Sequence, residues 1–119
     1  MNSSYHLGRL GESEAAQFLV KKNYTILEKN YRYGKAEVDL IVRQNNVLVA
    51  VEIKTRSSRY FGAPASFLKS KQQQRIVQAI DHYIKQNNLD IEVRFDVISI
   101  LKKGRNFEIQ HIENAFYHF

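Results

Sequence analysis

No cysteine occurs among the 119 residues, which removes disulfide frameworks, thiolate nucleophiles and cysteine-ligated metals together. Proline is almost absent as well, with Pro64 the one instance. There is thus no proline-rich linker, no low-complexity run and no solenoid repeat, and residues 1–119 read as a single domain with one core. Hydrophobic runs never approach the length of a membrane-spanning helix. The segment Met1-Asn2-Ser3-Ser4-Tyr5-His6 lacks the basic and apolar parts of a signal peptide, so the expected partners include no membrane and the expected location is cytoplasmic. The four histidines, His6, His82, His111 and His118, are scattered without ligand spacing, which argues against zinc.

Acids are missing from one long stretch. The net charge is +6, and between Ile53 and Ile80 six basic residues (Lys54, Arg56, Arg59, Lys69, Lys71, Arg75) occur with no Asp or Glu. The other 12 basic residues balance the 12 acids, so the whole excess sits in this segment. A local run of cations suits a polyanion, and Tyr60 and Phe61 inside it offer rings on which an unstacked base can lie. Solubility alone would also account for cations on loops and helix faces.

The densest pattern precedes that segment. Glu37 to Gln44 and Val47 to Lys54 alternate with period 2 around Asn45-Asn46, residues suited to the positive φ of a two-residue hairpin turn. Pairing Gln44 with Val47 sets Asp39 opposite Glu52 and Glu37 opposite Lys54, and places Glu37, Asp39, Glu52 and Lys54 on one face. Like charges directly opposite repel. Two carboxylates with a lysine two residues along are the hard-oxygen donors and the ammonium that a divalent-cation site uses. A solvated sheet face with a surface ion pair between Glu37 and Lys54 explains the same pattern. Ile41, Leu48 and Ala50 on that face favour a helix above it.

Around the hairpin, apolar spacing at Leu7, Leu10, Ala15, Phe18 and Leu19 predicts a helix over 7–22 stopped by Asn23, with either Glu12 or Glu14 bordering its buried side. A strand is expected over 24–33 before the hairpin. A loop covers 55–64, and Ile76, Val77, Ile80, Tyr83 and Ile84 predict a helix over 66–87. Strands are expected over 91–101 and 107–112, and the terminal Phe116-Tyr117-His118-Phe119 is read as packing. The order αβββαββ describes an α/β domain with a mixed central sheet flanked by helices.

Gly8-Arg9-Leu10-Gly11-Glu12, Asn30-Tyr31-Arg32, Glu37-Val38-Asp39-Leu40-Ile41, Val51-Glu52-Ile53-Lys54-Thr55-Arg56, Arg94-Phe95-Asp96-Val97 and Ile112-Glu113-Asn114-Ala115-Phe116 together resemble the YraN-like bacterial family. That family is similar to the PD-(D/E)xK nucleases, archaeal Holliday-junction resolvases in particular. The resemblance implies a restriction-endonuclease-like αβββαβ core and hydrolysis of DNA phosphodiester bonds, with branched or junction DNA as substrate. It assigns the catalytic set to Glu12, Asp39, Glu52 and Lys54. Mg²⁺ or Mn²⁺ would be held by Asp39 and Glu52, helped by the Ile53 carbonyl and Glu12. Arg56, Arg59, Tyr60, Lys69, Lys71 and Arg75 would contact nucleic acid. The two-fold symmetry of a four-way junction would favour a homodimer. Two departures stand out: Lys35-Ala36 precedes Glu37 where glycine is common, and Val38 replaces the proline of the superfamily's name. A non-catalytic nucleic-acid-binding protein of the same fold is the alternative.

Overall fold

The computed structural model describes residues 3–57 and 68–116. Seven elements follow one another: α1 (Ser3–Lys21), β1 (Thr25–Tyr33), β2 (Ala36–Gln44), β3 (Val47–Arg56), α2 (Ser70–Gln86), β4 (Glu92–Lys103) and β5 (Asn106–Ile112). The five strands form one sheet in chain order, β1-β2-β3-β4-β5. Neighbours are antiparallel except β3 and β4, which run parallel because α2 carries the chain back between them. The mixed α/β sheet with two flanking helices is the architecture expected from the element order. Among the described residues no helix is long and apolar enough to cross a membrane.

Each helix seals one face. Under α2, Ile76, Ala79, Ile80 and Tyr83 pack on Ala36, Val38, Ile41, Leu48, Ala50, Phe95 and Val97. Under α1, Ala15 and Leu19 pack on Leu40, Val42, Val49, Val51, Ile53, Ile98 and Ile100. Burial of these aliphatic groups at about 25 cal/mol per Å² is the main stabilising term. Ile41, Leu48 and Ala50 thus have the helical cover that their pattern predicted. Leu10 does not join the core and is 46% exposed. The buried side of α1 is instead the narrow stripe Gly11, Ala15 and Leu19, four residues apart. Phe116 stacks on Phe95 with ring centroids 4.9 Å apart, as terminal packing requires; Tyr117, His118 and Phe119 lie outside the described residues.

The β2–β3 register agrees with the sequence count from Gln44/Val47, with Asn45 at φ +54°, as far as Leu40/Val51. There the ladder ends, so Asp39 and Glu52, and Glu37 and Lys54, are not rungs. Two features explain it. One Asp39 carboxylate oxygen accepts the Ile53 N–H at 2.8 Å, a donor that a further rung would have used. In β2 the alternation also skips: Val38 and Ile41, three apart, share the α2 side, whereas Leu40 and Val42 share the α1 side. A matching bulge displaces β1 between Ile26 and Glu28.

Helix α1 meets the end of β3 through Gly11. A Cβ at that position would overlap the Thr55 hydroxyl and come within 2.9 and 3.0 Å of Thr55 Cγ2 and Cβ. Glycine therefore sets how closely Glu12, the next residue, approaches the sheet. Gly11→Ala is expected to lower stability by about 1–3 kcal/mol through overpacking. In urea melts of the single and double variants, Thr55→Ala should recover most of that loss; independent, additive losses would show that the two residues do not meet.

Candidate functional site

Where β2 and β3 part, Asp39 and Glu52 come together. Glu52 is 9% exposed, and its carboxyl is in hydrogen-bonding contact with that of Asp39. Its pKa is pushed up to about 9, first by burial, then by the neighbouring Asp39 charge and by the hydrogen bond to it; Lys54, two residues on, pulls the other way. Near neutral pH the pair therefore holds a proton between two carboxyl groups, because a buried Glu52 anion beside the half-buried Asp39, with only Lys54 to offset it, is too costly. A divalent cation would replace that proton.

Helix α1 and the outer hairpin build a groove beside this pair. Its volume is about 830 Å³, and its lining includes Glu12, Glu37 and Asp39 together with Arg9, Lys29 and Arg32. Glu12 rather than Glu14 is thus the α1 acid facing the site. Its pKa is raised, by burial first and then by Asp39, while a hydrogen bond from Asn30 opposes the rise. Glu37 does not pair with Lys54: it is opposite Arg32 in the β1–β2 ladder and bridges to that guanidinium at 3.0 Å. The shared charged face expected from strict alternation is divided by the skip after Asp39, which turns Glu37 and Asp39 toward α1.

The candidate donors are hard oxygens, the ligand type that Mg²⁺ and Mn²⁺ accept. Among the described residues no three acids or histidines stand close enough to form a closed metal cage. Two touching carboxylates, the Ile53 carbonyl next in chain and room for water are instead what Mg²⁺ takes, since it retains several waters. Of the residues expected to contact nucleic acid, Lys69 and Lys71 are exposed at the start of α2 and Arg75 is half-buried on it. Arg56 donates to the Thr55 carbonyl at 2.8 Å; Arg59 and Tyr60, like Phe61, lie outside the described residues. The cations that line the groove with Glu12 and Asp39, namely Arg9, Lys29 and Arg32, were missed because they come from separate elements that carry acids as well.

A second buried acid had no foreshadowing in residue spacing. Asp96 on β4 receives Arg94 Nε at 2.9 Å and Nη2 at 2.8 Å, has His111 Nε2 at 2.7 Å and accepts the Asn114 N–H at 3.2 Å. Arg94 also donates to the Tyr24 hydroxyl at 2.6 Å. Burial alone would raise the Asp96 pKa, but the hydrogen bonds from His111, Arg94 and Asn114 bring it below the ordinary value. This network ties β4 and β5 to Tyr24, in the connection between α1 and β1.

These two acids set opposite limbs of a stability profile. Asp96, with a depressed pKa, stabilises the fold above its unfolded value, and that contribution is lost as pH falls through the folded one. Glu52, raised from an ordinary 4.5 to about 9, stabilises fully below the lower value. That contribution is lost as pH climbs between the two, with a limiting slope on the order of 1.4 kcal/mol per pH unit. Metal-free protein should therefore melt highest in mildly acidic buffer. Glu52→Gln should flatten the alkaline limb and melt above wild type at pH 8, and Mg²⁺ should raise the wild-type melting temperature there while leaving the variant unmoved. Parallel melting profiles for the two proteins from pH 5 to 9 would contradict this.

The sequence model of the uncharacterised protein family UPF0102 matches residues 11–100. A UPF0102 protein of Christiangramia forsetii is 50% identical over 113 residues, covering 95% of each chain. One from Flavobacterium johnsoniae is 50% identical over 117 residues, again 95% of each. A third, from Bacteroides fragilis strain YCH46, is 40% identical over 111 residues, or 93% of this chain and 92% of its own. The match spans the segment that carries Glu12, Asp39, Glu52, Lys54 and Asp96, and the chain belongs to the UPF0102 family, the YraN-like family whose motifs its sequence carries.

Proposed function

We propose that this protein is a metal-dependent nuclease of the PD-(D/E)xK type, built on a restriction-endonuclease-like αβββαβ core, which hydrolyses DNA phosphodiester bonds, with branched or junction DNA as its substrate. The observation that carries the reading is the buried contact between Asp39 and Glu52. A carboxyl buried against a second, half-buried one is not retained for stability, since that arrangement costs free energy at neutral pH, and such perturbed groups concentrate at functional sites. The order αβββαβ of α1 to β4 supports the fold assignment, and the chain's charge of +6 supports a polyanionic substrate.

Asp39 and Glu52, with the Ile53 carbonyl, would hold Mg²⁺ or Mn²⁺, and Glu12 would complete or tune the site from α1. When bound, the ion supplies Lewis-acid polarisation of the phosphate and lowers the pKa of water. The Ile53 N–H fixes one Asp39 oxygen by its 2.8 Å hydrogen bond, so that carboxylate is oriented before any ligand arrives. Lys54 provides an ammonium beside the acids, able to orient the attacking water and to stabilise charge developing on the phosphate. Lys69, Lys71, Arg75 and Arg56, with Arg59 and Tyr60, would meet backbone phosphates and bases, giving salt-sensitive binding without base selectivity. On a four-way junction, two copies would present one site to each symmetric strand.

Wild type, Asp39→Asn, Glu52→Gln and Lys54→Ala should be incubated with Mg²⁺ or Mn²⁺ on four-way, flapped, single-stranded and duplex DNA. Metal-dependent nicking is expected in the wild type, most rapid on branched substrates. Losing either acid should reduce it by at least about a hundredfold while sparing binding, and Lys54→Ala should reduce it by roughly as much. Binding without nicking on every substrate would replace this reading with a non-catalytic nucleic-acid-binding role. Neither binding nor nicking would remove both.

A further inference from the structure

Five described residues other than glycine have positive φ: Asn23, Asn30, Asn45, Asn88 and Asn114. Four of them occupy turns or the ends of elements, where asparagine commonly takes the left-handed conformation. Asn30, at φ +52°, stands inside β1. A left-handed residue in a strand interior disrupts the pleat and costs on the order of 1 kcal/mol. No turn requires it there. The β1–β2 ladder steps from Lys29/Leu40 to Tyr31/Val38, so Asn30 and Asp39 face each other at the interruption. The Asn30 side chain also hydrogen-bonds Glu12 on α1, and all three residues line the same groove.

From this geometry we infer that Asn30 is a positioning residue of the acid site, spending backbone strain to hold the Glu12 carboxylate beside Asp39. The inference rests on the metal-site reading above and adds a residue that the pattern of acids does not contain. Its NH₂ group donates to the carboxylate while the side chain stays neutral, whereas an acid at the same position would add a repulsive charge and a lysine would neutralise the ligand. Gly11 brings α1 close enough for Glu12 to reach the groove; Asn30 then selects one orientation for it. Outer partners of this kind typically govern roughly tenfold or more in metal affinity.

The backbone and side-chain contributions separate by substitution. Asn30→Gly retains easy access to positive φ but removes the amide, whereas Asn30→Ala removes the amide and strains the backbone. Thermal melts and Mn²⁺ titration calorimetry on the full chain should be run for both, for Glu12→Gln and for the double variant Asn30→Gly/Glu12→Gln. Asn30→Gly should melt within a few degrees of wild type yet bind Mn²⁺ roughly tenfold more weakly. Asn30→Ala should also melt lower, and the double variant should bind no more weakly than Glu12→Gln alone, because Asn30 acts through Glu12. In ¹⁵N spectra of wild type, the Asn30 side-chain amide should shift on Glu12→Gln. Wild-type Mn²⁺ affinity in Asn30→Gly, or a double variant in which the two losses add, would overturn the positioning role and leave the metal site standing. A wild type that binds no Mn²⁺ would overturn the metal reading and this role with it.

Discussion

The arrangement of this molecule turns on one exchange of hydrogen bonds. Where the next rung between β2 and β3 would form, the Asp39 side chain takes the Ile53 N–H instead. The ladder stops at Leu40/Val51, the strands separate, and space opens in which Asp39 and Glu52 meet. A side-chain carboxylate is a stronger acceptor than a backbone carbonyl, so the lost rung is offset locally. The skip in β2 follows at the same residue. It turns Glu37 and Asp39 away from the sealed α2 face and toward the α1 groove, allowing a fully packed core on one side of β2 and a polar cavity on the other.

Everything else near the site adapts to that opening. The bulge at Leu27 and the left-handed Asn30 let β1 stay paired with a β2 that no longer alternates strictly. Gly11 allows α1 to come against Thr55 at the end of β3. The outcome is that α1 and β2 bring carboxyl groups to one groove, with Glu52 of β3 in contact with Asp39 behind it, and local irregularities in α1, β1 and β2 permit the approach. Regular helices and strands pack cores efficiently, and departures from regularity gather where chemistry must be exposed.

This division explains how far the sequence could be read. Period-2 alternation about Asn45 established the β2–β3 register through four steps, and 3.6-residue spacing located α2 and its cover over Ile41, Leu48 and Ala50, because both depend on repetition along the chain. The family resemblance named Glu12, Asp39 and Glu52 together, whereas helical spacing alone left Glu12 and Glu14 open. The relation of Asp39 and Glu52 to Glu37 and Lys54 was not legible, since counting along a strand assumes constant parity, and nothing in Val38-Asp39-Leu40-Ile41 marks the residue at which parity breaks. Asn30 carried no signal beyond an amide in a strand. Leu10 fitted a helical stripe that the structure narrows to Gly11, Ala15 and Leu19, because close approach at glycine leaves little width for a large neighbour. The Asp96 network escaped for a different reason: its partners come from the connection between α1 and β1, from β4 and from β5, and no spacing within a single element brings them together.

Asp96 and Glu52 make an instructive pair, since both are acids buried on the adjacent parallel strands β3 and β4. Asp96 has a bidentate guanidinium, an imidazole nitrogen and a backbone N–H, and its pKa lies below the ordinary range. Glu52 has another carboxyl as its hydrogen-bonding neighbour, an ammonium two residues away, and a pKa near 9. Sequence presents them as the same kind of residue, an acid in a β-branched run. Their surroundings separate them: the protein itself supplies Asp96 with counter-charge and donors, and that acid holds the fold together. For Glu52 the fold supplies burial, a second acid and only a partial counter-charge. An acid whose charge the chain offsets only in part is suited to a complement from outside it, and this distinction, more than the spacing of the motif, is what favours Glu52 and Asp39 as the pair in the metal-site proposal.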